Sequence, residues 1–85
     1  MWADEPPTQL QSEILKSIWP LRNPDGDVEI GIVKIAKLVG RNPKLQRPIR
    51  CALHGLVIRG LVEIEVRAGR QARIITFTEK GAKHV

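Results

Sequence analysis

The chain has 85 residues, enough for one domain with a single small hydrophobic core. It carries a formal net charge of +5 and one cysteine, and no apolar run approaches the roughly 18 residues needed to span a membrane. A single cysteine excludes an internal disulfide, and the lack of a long apolar run predicts no membrane anchor. The acidic residues among residues 1–5 do not suggest a signal peptide. A lone thiol fits the reducing cytoplasm.

The positive charge is concentrated in the second half of the chain. Residues 1–40 carry four basic and six acidic side chains, whereas residues 41–85 carry ten basic and three acidic ones. Such an uneven distribution is typical of proteins that bind a polyanion. A basic surface kept only for solubility is the alternative that charge alone leaves open.

A first helix is predicted over residues 8–19. Thr8 and Gln11 have the spacing of a capping box, and Pro20 prevents the helix from continuing. Trp19, at its end, is expected to pack into the core. The apolar stripe of this helix consists of Leu10, Ile14, Leu15 and Ile18.

A turn, a short strand and a second helix follow. Residues 23–26 read Asn-Pro-Asp-Gly, a tight-turn sequence, and residues 27–30 alternate as a strand does. Gly31 can open the second helix, and Gly40 stands where a left-handed residue commonly ends one. The apolar stripe of the second helix is Ile32, Ile35, Ala36 and Val39.

A third helix is predicted to begin near Gln46 or Arg47, because Pro48 is tolerated only in the first turn of a helix. Its apolar positions, at i, i+3, i+4 and i+7, are Ile49, Ala52, Leu53 and Leu56. Arg47, Arg50, Cys51 and His54 have the same spacing on a different face. The helix is therefore expected to be buried along one side and basic on the other.

Beyond Gly60 the period changes from that of a helix to that of a strand. Leu61, Val62, Ile64 and Val66 alternate with Glu63, Glu65 and Arg67, as in a half-buried strand. A tip of residues 67–71, in which Gly69 allows positive φ, leads to a second strand over residues 72–77. This pattern predicts a β-hairpin whose tip is surrounded by Arg67, Arg70 and Arg73.

Three motifs resemble those of winged helix-turn-helix proteins of the MarR and PadR-like type. Residues 35–40 (IAKLVG) are similar to their second helix, and residues 52–63 (ALHGLVIRGLVE) to the exit of their recognition helix. Residues 77–81 (FTEKG) resemble the segment after their wing. The likeness covers residues 28–83, with a longer connection before the third helix and without the long terminal helices through which the MarR type dimerises.

The resemblance implies an α+β fold in one domain, residues 1–85: a winged helix-turn-helix with a three-helix core, a short strand and a C-terminal β-hairpin wing. It further implies a small prokaryotic or archaeal transcriptional regulator that binds double-stranded DNA, as a homodimer.

The basic residues then acquire expected roles. The third helix would enter the major groove, where Arg50 could pair bidentately with guanine, and the wing would touch the backbone or the minor groove. Basic residues at the entry of the helix would neutralise phosphates. The predicted DNA contacts are Arg41, Lys44, Arg47, Arg50, His54, Arg67, Arg70 and Arg73.

No pattern in the sequence predicts an enzyme or a cofactor. Cys51, His54 and His84 are too few for a zinc site built from cysteine and histidine, which takes four ligands. Two other functions stay open: a chromosomal protein with little sequence preference, and a winged helix that contacts protein or RNA. Single-stranded nucleic acid is disfavoured, because stacking platforms need exposed aromatic rings and the chain has two tryptophans and one phenylalanine.

Overall fold

A computed structural model describes residues 6–67, 69 and 72–85. These residues form an α+β domain with a three-stranded antiparallel sheet, which confirms the predicted class. In chain order the elements are α1 (Gln9–Ile18), a 3₁₀ turn (Trp19–Leu21), β1 (Asp27–Ile30), α2 (Ile32–Leu38), α3 (Arg47–Ile58), β2 (Val62–Val66), β3 (Arg73–Phe77) and α4 (Glu79–Ala82).

Local side-chain and glycine signals set the boundaries of the first two helices, as predicted. The Thr8 hydroxyl accepts from the Gln11 N–H at 3.2 Å, and Gln11 Oε1 accepts from the Thr8 N–H at 2.9 Å. This capping box satisfies donors that the first turn of α1 leaves free. Gly40 has a φ of +73°, which lets the Arg41 N–H reach the Ala36 carbonyl at 2.8 Å and closes the end of α2.

The third helix begins and ends where the sequence indicates. Gln46 is its N-cap residue and Pro48 lies in its first turn, where the missing N–H has no cost. Gly60, with a φ of +72°, reverses the chain so that the Leu61 N–H bonds to the Leu56 carbonyl at 3.0 Å. The chain can therefore pass directly from α3 into β2.

The core is made of one stripe from each of the first three helices and one face of the sheet. The predicted stripe of α3 is buried, as are those of α1 and α2 except for Leu10 and Val39, which are partly covered. Each fully buried aliphatic side chain contributes about 1.5–3 kcal/mol relative to exposure. The sheet adds Val28, Ile30, Val62 and Ile75, and Leu61 joins them from the position just before β2.

Trp19 lies at the margin of the core and is only half-buried, which differs from the expectation that it packs inside. Its ring meets Phe77 edge to face, with centroids 4.9 Å apart, and the Arg22 guanidinium lies 3.4 Å from its centroid on the solvent side. Because α1 ends immediately before it, the indole covers the end of the core instead of entering it.

In the sheet, β3 lies between β1 and β2, so both neighbours pair with the strand that arrives last in sequence. Ile75 is opposite Val28 on one side and Ile64 on the other, and this row faces the helices. Residues of opposite parity face away from the helices. That outer face carries Asp27, Glu29, Glu63 and Glu65 on the two edge strands, with Ile74 and Thr76 between them.

A fourth helix, not predicted from the sequence, fixes the end of the hairpin to the end of α3. The Thr78 hydroxyl accepts from the Gly81 N–H at 3.0 Å and donates to the Gly60 carbonyl at 2.5 Å. The Thr78 N–H also bonds to the Leu61 carbonyl at 3.1 Å, and Lys80 Nζ donates to the Arg59 carbonyl at 3.2 Å. These bonds fix the position of β3 relative to α3.

Candidate nucleic-acid interface

The outward face of α3 is basic, as the periodicity predicts. Arg47, Arg50, Cys51 and His54 are all exposed, whereas the apolar stripe of the same helix is buried. The Arg50 guanidinium is held by a hydrogen bond of 3.1 Å from Nη2 to the Oε1 of Gln46, one turn earlier. One cation on this face therefore has a defined direction.

Arg73 approaches that helix from the sheet. It is the first residue of β3, opposite Ile30 on β1 and Val66 on β2. Its parity is that of Ile75, so it belongs to the sheet face that turns toward the helices. Arg73 is half-buried, at the end of the sheet where the buried core stops.

Arg50 and Arg73 line the same two surface depressions between α3 and the sheet. The first depression is completed by Gly31, Ile32, Val33, Gln46 and Val66, and the second by Leu53, His54, Val57 and Ile64. A cation from the helix and a cation from the hairpin therefore converge on one cleft, called here the Arg50–Arg73 cleft.

Val66 is an exception to the strand alternation. Its parity places it on the inner face, yet 65 % of it is exposed. Val62 and Ile64, earlier on the same strand, are buried and half-buried. The strand thus extends beyond the part of the sheet that the helices cover, and Val66 becomes an apolar wall of the Arg50–Arg73 cleft.

The two described arginines of the hairpin, Arg67 and Arg73, lie on opposite faces of the sheet. Arg67 has the parity of Glu63 and Glu65 and pairs with Glu65 at 3.3 Å, on the sheet face opposite Arg73. Both partners are more than half exposed, so the pair adds little stability. Arg70 lies outside the described residues, and its predicted contact stays a prediction.

The connection between α2 and α3 presents two more of the predicted cations. Arg41 and Lys44 are exposed there. The Asn42 side chain accepts from the Lys44 N–H at 3.0 Å, and the Leu45 N–H bonds to the Asn42 carbonyl at 3.0 Å. The lengthened connection is thus an ordered turn that leads its basic residues to the start of α3.

The two sides of the sheet differ in charge. The outer face carries the four carboxylates of the edge strands, of which Arg67 can neutralise one, whereas the Arg50–Arg73 cleft has two guanidinium groups and His54. None of the carboxylates lines this cleft. A polyanion would meet attraction on one side of the sheet and repulsion on the other.

The described part of the chain offers little for other kinds of site. No group of three or more His, Cys, Asp or Glu side chains among the described residues could hold a metal ion. None of the described helices is long and apolar enough to cross a membrane.

The sequence did not predict that the Gln46 side chain would line the cleft, or that Val66 would be exposed there. The spacing of Gln46 and Arg50, i and i+4 on a helix, was a signal for the first.

No protein-family model matches the chain, and neither the curated proteins nor the solved structures contain a match.

Proposed function

We propose that this protein binds double-stranded DNA as a winged helix-turn-helix protein of the MarR and PadR-like type, and that it regulates transcription in the cytoplasm. The observation that carries the proposal is the convergence of Arg50, from α3, and Arg73, from β3, on one cleft. A helix and a hairpin that present cations side by side can engage a groove and its bordering backbone together.

In the proposed complex, the exposed face of α3 enters the major groove. Arg50 donates to O6 and N7 of a guanine, the commonest specific contact of arginine with DNA. Arg41, Lys44 and Arg47 neutralise phosphates near the start of the helix, where the helix dipole also favours negative charge. Arg73 reaches the backbone beside the same groove, and His54 adds a donor between them.

The acidic outer face of the sheet determines from which side a duplex can approach the protein. Carboxylates on β1 and β2 would repel phosphates if the duplex approached from that side. Arg67, held by Glu65 on that face, is the least favourably placed of the predicted contacts among the described residues.

The homodimer belongs to the same proposal. Ile58, at the end of α3 and outside the Arg50–Arg73 cleft, is 37 % exposed and offers apolar surface to a second copy. A two-fold dimer would read a palindromic site, because its symmetry is repeated in the DNA.

Selection of bound duplexes from a random pool tests the function and separates it from its alternatives. We expect enrichment of a palindrome whose half-sites lie about one helical turn apart, roughly 34–36 Å. A single unrepeated half-site would contradict the dimer, and binding without enrichment would favour an architectural protein. If the pool contained no bound duplex at all, the proposed function would be wrong.

A further inference from the structure

We propose that Gln46 is a positioning residue that sets the base preference of Arg50, an inference that rests on the proposed duplex binding. Gln46 Oε1 accepts a hydrogen bond of 3.1 Å from Arg50 Nη2. Gln46 is half-buried, Arg50 is exposed, and both line the Arg50–Arg73 cleft. The more buried of the two side chains therefore holds the one that faces solvent.

A role in helix capping does not account for Gln46. It occupies the N-cap position of α3, where serine, threonine, aspartate, asparagine and glycine are favoured. Its side chain makes no capping hydrogen bond, and its backbone has αR angles. Its carboxamide is directed to Arg50, whose own N–H also bonds to the Gln46 carbonyl at 3.0 Å. The backbone bond is the ordinary i to i−4 bond of an α-helix, so only the side-chain bond depends on the identity of residue 46.

The chemistry leaves Arg50 free to read a base while it is held. A guanidinium has five N–H donors, of which Gln46 uses one and a bidentate guanine contact uses two. An arginine side chain otherwise loses substantial rotamer entropy when it is ordered on binding. Because Gln46 orders the Arg50 side chain before binding, the guanine contact costs less conformational entropy. A base that cannot form the bidentate pair gains no affinity from this ordering.

The test compares wild type, Gln46→Ala, Arg50→Ala and the double variant on two duplexes, the selected site and the same site with the guanine pair changed. Loss of one net hydrogen bond corresponds to about 2- to 13-fold in affinity. We expect Gln46→Ala to reduce discrimination between the duplexes by about this factor and to leave affinity for the changed duplex intact. In the Arg50→Ala background, removing Gln46 should change neither affinity.

Two further variants separate positioning from structure. Gln46→Met keeps the length of the side chain without a carbonyl acceptor, so it should reproduce the loss of discrimination. Gln9→Ala is the matched control, because the Gln9 side chain also makes a hydrogen bond across one helical turn, but on α1, where its Nε2 donates to Glu13 Oε1 at 3.3 Å. It should bind both duplexes as wild type does.

Equal loss of affinity for both duplexes in Gln46→Ala would overturn the proposal. So would a double variant that loses as much discrimination relative to Arg50→Ala as Gln46→Ala loses relative to wild type. These results differ from a failure of the proposed function, in which wild-type protein would bind neither duplex.

Discussion

Replacement of Gly81 by alanine is expected to destabilise the fold by about 3 kcal/mol, near the upper end of typical overpacking effects. A Cβ at this position would overlap the carbonyl oxygen of Leu61 and lie 2.8 Å from its carbonyl carbon. These are backbone atoms at the junction of α3 and β2, and they are also fixed by the bond from the Thr78 N–H. Neither side can move without breaking the contact between α4 and this junction.

The expected sign is the opposite of that given by helix propensity. Gly81 lies within α4 and is not among the glycines with positive φ, so alanine would fit its backbone conformation. Propensity alone would favour alanine by about 1 kcal/mol in a helix interior. The destabilisation therefore reports the close approach to Leu61 and nothing about the local conformation of the chain.

Thermal unfolding followed by circular dichroism measures this effect. For a domain of this size, a loss of about 3 kcal/mol lowers Tm by roughly 12–24 °C. Gly60→Ala is the control within the same junction, because a Cβ there meets nothing within 4 Å and only the φ of +72° is unfavourable, at about 1 kcal/mol. A Gly81→Ala protein as stable as wild type would show that α4 does not pack on the junction between α3 and β2 as described.

Removal of both arginines of the cleft, by Arg50→Ala and Arg73→Ala together, is expected to weaken duplex binding by about 2–4 kcal/mol, roughly 30- to 900-fold. Arg73→Ala should act equally on all duplexes and reduce the slope of log K against log salt by about 0.9, the share of one phosphate contact. Arg50→Ala should instead relax the preference at one base pair. Fluorescence anisotropy at several salt concentrations provides both quantities.

Lys16→Ala with Lys83→Ala is the charge-matched control. Both lysines are exposed, and neither lines the depressions that Arg50 and Arg73 share. This pair removes the same formal charge as the Arg50→Ala and Arg73→Ala pair. If the position of the charges matters more than their sum, the lysine pair should cost much less affinity. Equal losses in the two double variants would mean that binding follows overall charge, and the cleft would lose its role.

The boundaries of the elements were predictable because local interactions set them. The capping box of Thr8, the left-handed glycines at positions 40 and 60, and Pro48 in the first turn of α3 each act within a few residues. The buried stripes followed from helical period, and the outward direction of Arg67 from strand alternation. These signals depend on neighbours in the sequence and need no knowledge of the tertiary arrangement.

What the sequence did not predict depends on contacts between distant segments. The helix α4 has four residues, too few to form alone, and Thr78 and Gly81 hold it against the end of α3. Alternation assigned Val66 to the inner face but could not tell where the covering helices stop. For the same reason the sequence did not predict that Arg50 and Arg73 would line one cleft. The shared parity of Arg73 and Ile75 did indicate that Arg73 lies on the sheet face toward the helices.

The proposed face can be tested most directly by following backbone amide resonances during titration with a duplex. We expect the largest changes along the exposed side of α3, at Arg47, Arg50 and His54, and at Val66 and Arg73 beside them. The amides of Asp27 and Glu63, at the far end of the acidic sheet face, should change little. If the duplex instead perturbed that acidic end and left α3 unchanged, the account of this protein as a DNA-binding module would be contradicted.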